Sequence, residues 1–453
     1  MRVLVAGAVF CALTGCMIAE PPVPPQAAVQ PVSGWRTPVS TTEPIGAEWW
    51  RGYGDPVMTR LIERALASNN DVAIAAARVR EAAATERQAR ALLFPTISAG
   101  ATGGVSRSLS AFGTSSTGSS IEPEVQAAWQ LDLFGRLSDL RGAARERYLA
   151  SMAARDAVTL SVAAATASGY ITLRGLDARL QVARDTLAAR AEALRLARSR
   201  AQAGYTSDLE LTQAQSEYEA TAQIVPQVQR AIAAQENALS VLLGDNPRAI
   251  ERGVDLARLA VPAVPAGLPS DLLRRRPDIA QAEFLLAASD RNLASQRKAY
   301  LPNVQLSGSG SLLVASALAN PAELFTLGGS VLAPLFDAGR ARAAADAATA
   351  QRDQAAFAYR GAALTAFQEV ENALSTLDRL NAEQLHVRAQ RDALAEVLRH
   401  ARNRYRAGYA DYLTELDAQR GLLAAELALV QNETDRLVAS VTLYRAMGGG
   451  WGA

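Results

Sequence analysis

The side chains that could do chemistry are few, and they are badly spaced for it. His386 and His400 are the only two histidines and lie 14 apart in one stretch with helical patterning. That is a rise of about 21 Å, too far for one chain to close both on a metal. No Gly-x-Ser-x-Gly, His-Glu-x-x-His or cysteine cluster occurs. Lys298 is the sole lysine, is followed by Ala299 and has no glycine-rich approach, which excludes a Walker A loop. The carboxylates fall mostly on long amphipathic segments, where a solvated face is the default. Neither an enzyme nor a bound cofactor or metal is expected. One constellation remains. Leu413 and Asp417 are four residues apart, and Arg420 follows three later, so all three share a helix face. Spacing alone describes a seam leucine beside a solvated ion pair, worth about 0.3–0.5 kcal/mol.

The 46 basic and 45 acidic residues nearly cancel over 453 positions and form no basic tract, which argues against a nucleic-acid partner. The N-terminus reads MRVLVAGAVFCALTGC: one arginine, an apolar run, then small residues before Cys16. It is too short for a membrane span and has the layout of a secretory leader. Leu13-Thr14-Gly15-Cys16 resembles the lipobox of bacterial lipoproteins, in which cleavage leaves the cysteine as a lipidated first residue. The plainer alternative is a leader with an incidental cysteine. Cleavage at that point removes Cys11 and leaves a single thiol, so no disulfide can form. Acyl chains on Cys16 would hold the chain to lipid at about 0.8 kcal/mol per buried methylene. PPVPPQAAVQPVSG follows, an extended tether by composition. No later segment has the apolar length of a membrane helix, so any bilayer crossing must be made by strands.

The elements that position these residues come in two copies. RAQAGYTSDLELTQAQ at 200–215 is answered by RYRAGYADYLTELDAQ at 404–419. Asn70-Asp71-Val72 and Pro277-Asp278-Ile279 open matching Ala-rich helices. Phe94-Pro95 and Leu301-Pro302 close them. Leu133-Phe134-Gly135-Arg136 matches Leu335-Phe336 and Gly339-Arg340 across a two-residue insertion, and Leu243-Gly244 matches Met447-Gly448. Landmarks in one order at a near-constant offset make a tandem duplication.

Each copy predicts a helix (71–93, 277–300), two short strand-like segments, and a helical hairpin. Val304, Leu306, Gly308, Gly310 and Leu312 alternate with polar residues, as in a strand with one apolar and one polar face. The first copy is less regular, and SRSLSAFGTSSTGSS at 106–120 reads as a long polar loop. Residues 136–203 and 340–407 lack proline; each predicts a helix on the order of 100 Å long. Leu173, Leu180, Leu187 and Leu194 recur every seven residues, as do Leu416, Leu423, Val430 and Leu437, which marks lengthwise coiled-coil seams. Gly204-Tyr205 and Gly408-Tyr409 then mark the hairpin tips, with glycine as the left-handed cap and Thr206 or Ser207 and Asp411 capping the returning helices. The expected organisation is a leader at 1–15, tether and equatorial segment at 16–56, first repeat at 57–245, linker at 246–268, second repeat at 269–448 and tail at 449–453. Four strands cannot close a membrane barrel, whereas three chains would bring twelve.

Several stretches resemble the TolC-like outer-membrane efflux ducts, in particular their OprM-like lipoprotein branch. They are Trp49-Trp50 with Asp55-Pro56, LPSDLLRRRPDIAQAE at 268–283, LDLFGR at 131–136, PLFDAGR at 334–340 and RYRAGYADYLTELDAQR at 404–420. The resemblance spans nearly the whole chain after the leader. It implies a mainly α protein with a membrane β-barrel: a tandem-repeat protomer of a trimeric 12-stranded β-barrel continued by a 12-helix α-barrel tunnel. It implies outer-membrane lipid around the barrel and a helical barrel in the periplasm. Its implied partners are two more copies of the chain, a periplasmic adaptor protein at the tips Gly204, Tyr205, Gly408 and Tyr409, and an inner-membrane pump of RND type. It further implies a gate in which Leu413 constricts the tunnel and Asp417 with Arg420 latches it. The first repeat has Gln213 where the second has Asp417, so such a latch is one-sided. Two other readings stay open on sequence: a duct for type I protein secretion, and a coiled-coil lipoprotein that spaces the envelope without a pore.

Overall fold

The computed structural model describes residues 22–30, 34–37, 46–109, 111–262 and 269–450. Cys16 and the leader lie outside them, as do parts of the 16–56 and 246–268 segments and of the tail. In chain order the elements are α1 (Pro56–Ser68), α2 (Asn70–Ala91), β1 (Thr96–Leu109), β2 (Ser115–Leu131), α3 (Arg136–Gln202), α4 (Asp208–Ala222), α5 (Ile224–Leu242), α6 (Pro269–Arg275), α7 (Pro277–Arg297), β3 (Asn303–Ala315), β4 (Ala322–Leu332), α8 (Arg340–Arg406) and α9 (Tyr412–Ala446). The duplicated plan is visible in this order. Its two copies differ where proline differs. Pro226 has no N–H for the carbonyl of Ala222, so the first returning helix breaks into α4 and α5, while α9 runs unbroken for 35 residues.

The chain forms two compact units. One contains the sheet, the helical residues up to Met152 and Gly361, and the N-terminal residues 22–28. The four strands are antiparallel in the order β1-β2-β3-β4, with β1 and β4 at the edges. Register sorts their side chains into two faces. Ile97, Val105 and Leu109 lie on the face of Ile121, Val125 and Trp129, because Ile97 pairs with Ala127 and Val105 with Ser119. Val125 pairs with Gly310 and Trp129 with Leu306, and Gly310 pairs with Phe325, Gly308 with Leu327 and Val304 with Val331. One apolar face therefore runs across all four strands. The other carries Ser98, Thr102, Glu122, Gln126, Ser307, Ser311 and Thr326. Phe325 and Leu327 are 90 and 88 % exposed on the apolar face.

The expected loop at 106–120 is overturned. β1 and β2 pair as far as Leu109 with Ser115, leaving only a tight connection. Gly103, Arg107, Thr117 and Ser119 fall on the face of Val105, Leu109 and Ile121 and break the alternation there. The strands are also longer than expected, at 11 to 17 residues.

Each strand pair hands over to its long helix through an aspartate. Asp132 accepts from Leu137 N (2.9 Å), Ser138 N (2.8 Å) and Ser138 Oγ (2.6 Å). Asp337 accepts from Gly339 N (3.0 Å) and Ala341 N (2.8 Å). The two-residue insertion in the second copy is what brings Asp337, after Leu335-Phe336 instead of before. In the first junction Lys298 reaches Asp139 at 2.5 Å.

The second unit holds the main core. Trp49 stacks on Tyr444 at 5.4 Å, within a cluster that includes Met58, Ile62, Tyr170, Ile171, Leu173, Leu239 and Leu443. Buried Asp55 caps α1 through Val57 N (2.7 Å) and accepts from Tyr170 Oη (2.8 Å) and Val254 N (3.1 Å). Of the eight expected seam positions, Leu173, Leu194, Leu416 and Leu437 are buried, and Leu180, Leu187, Leu423 and Val430 are half-buried. Among the described residues, no helix is long and apolar enough to cross a membrane.

Candidate functional site: the paired hairpin tips

Both long helices end alike. Gly204 and Gly408 have φ of 75° and 77°. Tyr205 N bonds Arg200 O at 2.9 Å and Tyr409 N bonds Arg404 O at 2.8 Å, so a left-handed glycine closes each helix and turns the chain back. Tyr205 and Tyr409 are exposed. Ser207, of the two candidates, caps α4 through Glu210 N. Asp411 caps α9, accepting from Thr414 N at 3.1 Å and Thr414 Oγ1 at 2.6 Å.

Behind the turns, α3, α4 and α9 share a small apolar cluster of Leu194, Ala197, Ala214, Tyr412 and Leu416. Leu416 is 1 % exposed and fills the seam, whereas Leu413 is 47 % exposed and lies outside it. Tyr405 packs on Tyr412 with centroids 5.6 Å apart, and the Arg200 guanidinium lies 5.3 Å over the Tyr405 ring. The Tyr405 hydroxyl donates to Glu210, and burial together with that carboxylate pushes it up to about 12.

One turn deeper the charges converge on a carboxylate that the spacing argument missed. Glu217 of α4 is nearly buried and accepts from Arg190 of α3 and from Arg420 of α9, the latter with Nε–Oε1 at 2.8 Å. Asp417, 67 % exposed, is a looser partner of Arg420, at 3.7 Å. The expected latch pair is therefore adjacent, but the stronger bond of Arg420 goes to the other hairpin. Only a sequence comparison of the two tips could have pointed there: Glu217 falls at the repeat position of Gly421, so the second copy has no matching acid. Glu415 completes the set, accepting from Arg402 at 3.2 Å and Gln419 at 3.0 Å. Three buried or half-buried acids each hold a partner on another helix, which fixes the hairpins side by side. The arrangement clamps the helices at the tip through charge. His386 and His400 do not meet, and no cluster of three or more His, Cys, Asp or Glu residues among those described could hold a metal.

Known proteins resemble this chain in sequence and architecture. The family described as "outer membrane efflux protein" matches residues 61–245 and 268–449, one match per repeat. A toluene efflux pump outer membrane protein, TtgC of Pseudomonas putida, is 35 % identical over 97 % of this chain and 93 % of its own length. The pyoverdine export outer membrane protein OpmQ of Pseudomonas putida is 32 % identical over 95 % and 94 %. The outer-membrane channel OprN superposes with a TM-score of 0.87 at 28 % identity, covering 95 % of this chain and 98 % of that one.

Proposed function

The chain belongs to the outer membrane efflux protein family and is the outer-membrane component of an efflux pump, and from that premise we propose that three copies close into one passive exit duct. The observation that carries this is the sheet. Its apolar face is bare across four strands, its other face is mostly polar with Leu324 and Leu332 among the exceptions, and its edges β1 and β4 have no partner among the described residues. Edges and a bare apolar face are tolerated together when lipid covers the face and other strands cover the edges. Three copies give twelve strands around a polar lumen, with the apolar side toward outer-membrane lipid.

In this reading the helical hairpins reach into the periplasm. Gly204, Tyr205, Gly408 and Tyr409 meet an adaptor protein, and an RND-type inner-membrane pump selects the small molecules that enter. Cys16 carries the lipid anchor. Leu413 is the constriction, being half-exposed beside a seam that Leu416 already fills, and Asp417 and Arg420 form the latch with Glu217 behind them. An adaptor that binds the open arrangement of the tips more tightly shifts the closed-to-open balance without any chemistry.

The test is conductance. The purified chain in planar bilayers should give ion-conducting pores from SDS-resistant trimers, and Asp417→Ala with Arg420→Ala should raise the conductance of each. A monomer without conductance overturns the duct; unaltered conductance in the double variant removes those two residues from the gate.

A further inference from the structure

Glu217 satisfies only part of Arg190. That arginine is 3 % exposed and its Nη1 donates to Glu217, yet its Nε is a buried donor with no acceptor among the described residues. A buried donor left unmatched is costly. Arg190 also lines a cleft of about 200 Å³ between α3, α8 and α9. The α9 side of that cleft includes Gln419, Leu422 and Glu426, whose spacing puts them on one helix face. Glu426 is half-buried, and its carboxylate has no hydrogen bond or ion pair among the described residues. Its charged neighbours are Arg391 of α8 and Asp185 of α3. Arg391 already pairs with Asp392 at 3.2 Å, and Arg402, the α8 cation in the cleft wall, bonds Glu415 at 3.2 Å. A carboxylate without a cation and a guanidinium with a spare donor therefore line the same cleft.

We propose that Glu426 is a second seat for Arg190: the guanidinium bonds Glu217 while the tips are together and crosses the cleft to Glu426 when they part. This rests on the gated duct proposed above. Parting the tips pulls α4 from α3, and a buried cation stripped of its only carboxylate would oppose that strongly. A second carboxylate within the same cleft removes the opposition, because the long, rotatable arginine side chain can change partners while its backbone stays in place. The exchange also moves a proton. With the tips together, burial raises the Glu426 carboxyl and Asp185 adds to the rise, against a lowering pull from Arg391. Arrival of Arg190 favours the carboxylate and lowers the group again. The open arrangement thus binds fewer protons at Glu426 than the closed one, so this residue favours opening as pH rises and closure in acid. Glu217 works in the other sense, since its protonation would free Arg190.

The experiment is single-channel recording of the purified full chain in planar bilayers, read as the ratio of open to closed time. At neutral pH Glu426→Gln should lower that ratio about tenfold, the effect of losing one charge-assisted hydrogen bond from the open arrangement alone. The difference between parent and variant should shrink towards nothing by about pH 4, where the parent's carboxyl is protonated as well. In an Arg190→Gln background, Glu426→Gln should change the ratio no further. A carboxylate that merely packs in the seam would keep its effect there and show no such pH profile. An unaltered or raised ratio in Glu426→Gln overturns the second seat, and so does an effect that survives the loss of Arg190. Should Arg190→Gln fail to assemble, the pH profile decides: a difference between parent and Glu426→Gln that holds steady down to about pH 4 overturns the exchange. A parent chain that forms no pores overturns the duct and the switch together, whereas pores indifferent to Glu426 overturn the switch alone.

Discussion

Arg420 is bonded first to Glu217, 203 residues earlier in the chain, and only second to Asp417 three residues away. The returning helix of one hairpin is thereby tied to the returning helix of the other, with Arg190 of α3 as the third member. A pair between neighbouring residues of one helix would constrain nothing but that helix. A carboxylate shared by three helices resists their separation.

Glu217→Gln should therefore loosen the tips more than Asp417→Asn does. It leaves Arg190, almost wholly buried, without its counter-charge, which costs about 1–3 kcal/mol. If the closed tip depends on that tie, the same energy shifts the closed-to-open ratio by about 5- to 150-fold. Single-channel recording should show more open time for Glu217→Gln than for Asp417→Asn, whose side chain is largely in solvent. The reverse order would return the latch to Asp417.

Glycine pairs in the duplicated frame should separate into two cost classes. At Gly244 and Gly448, φ is 70° and 92°, and an added Cβ would meet Ser68 O at 2.4 Å and Arg275 O at 2.2 Å. At Gly204 and Gly408 the backbone is equally left-handed, but the space around it is open. Alanine at either tip should cost about 1–2 kcal/mol, the left-handed penalty alone. Gly244→Ala and Gly448→Ala add a backbone collision and should lower the thermal midpoint distinctly further. Equal losses at all four positions would mean that the close approaches relax freely.

The contrast between those classes also shows what the sequence could tell. Gly204 and Gly408 announce themselves by local chemistry, a glycine after a proline-free helix, and the turns are where that chemistry puts them. The long helices, the seams through Leu173 and Leu416, and the caps at Ser207 and Asp411 are equally local. Glu217 is not, because its importance comes from Arg190 and Arg420, and no spacing rule links three helices across 230 residues. The first strand pair failed differently. A strand pair whose apolar face is interrupted by Gly103, Arg107, Thr117 and Ser119 loses the contrast that periodicity needs, and pairing with β3 is what restores it.

The two faces of the sheet should respond oppositely to charge. Leu327 and Thr326 are neighbours on β4, and their side chains point to opposite faces. Arginine at Leu327 would enter lipid, at a cost of about 2–4 kcal/mol near the bilayer midplane. Arginine at Thr326 would enter water and cost little. Folding into vesicles, followed by heat-modified mobility on gels, should show Leu327→Arg folding poorly and Thr326→Arg folding as the parent does. Equal tolerance would mean the apolar face is covered by protein, not lipid.

Acid should weaken one joint of the second unit first. The Arg276 guanidinium grips Asp278 with Nε–Oδ1 at 3.0 Å and Nη2–Oδ2 at 2.6 Å, while its Nη1 reaches Glu369 at 2.7 Å and the carbonyl of Ala446 at 2.9 Å. This joins α7 to α8 and to the end of α9. Burial works to raise the Asp278 carboxyl, but the Arg276 hydrogen bonds and charge, with help from Ile279 N, outweigh it and hold the group below its ordinary value. A carboxyl depressed in the fold binds fewer protons there than in the unfolded chain, so it stabilises above the unfolded value of about 3.9. That stabilisation disappears as pH falls through the lower, folded value. The gap in thermal midpoint between the parent and Asp278→Asn should hence be constant from neutral pH down to about pH 5 and shrink below about pH 4. Arg276 stays cationic throughout, so the narrowing belongs to Asp278. A gap that held steady or widened on acidification would show that the carboxyl is not depressed and that the joint draws its strength from Glu369 and the Ala446 carbonyl.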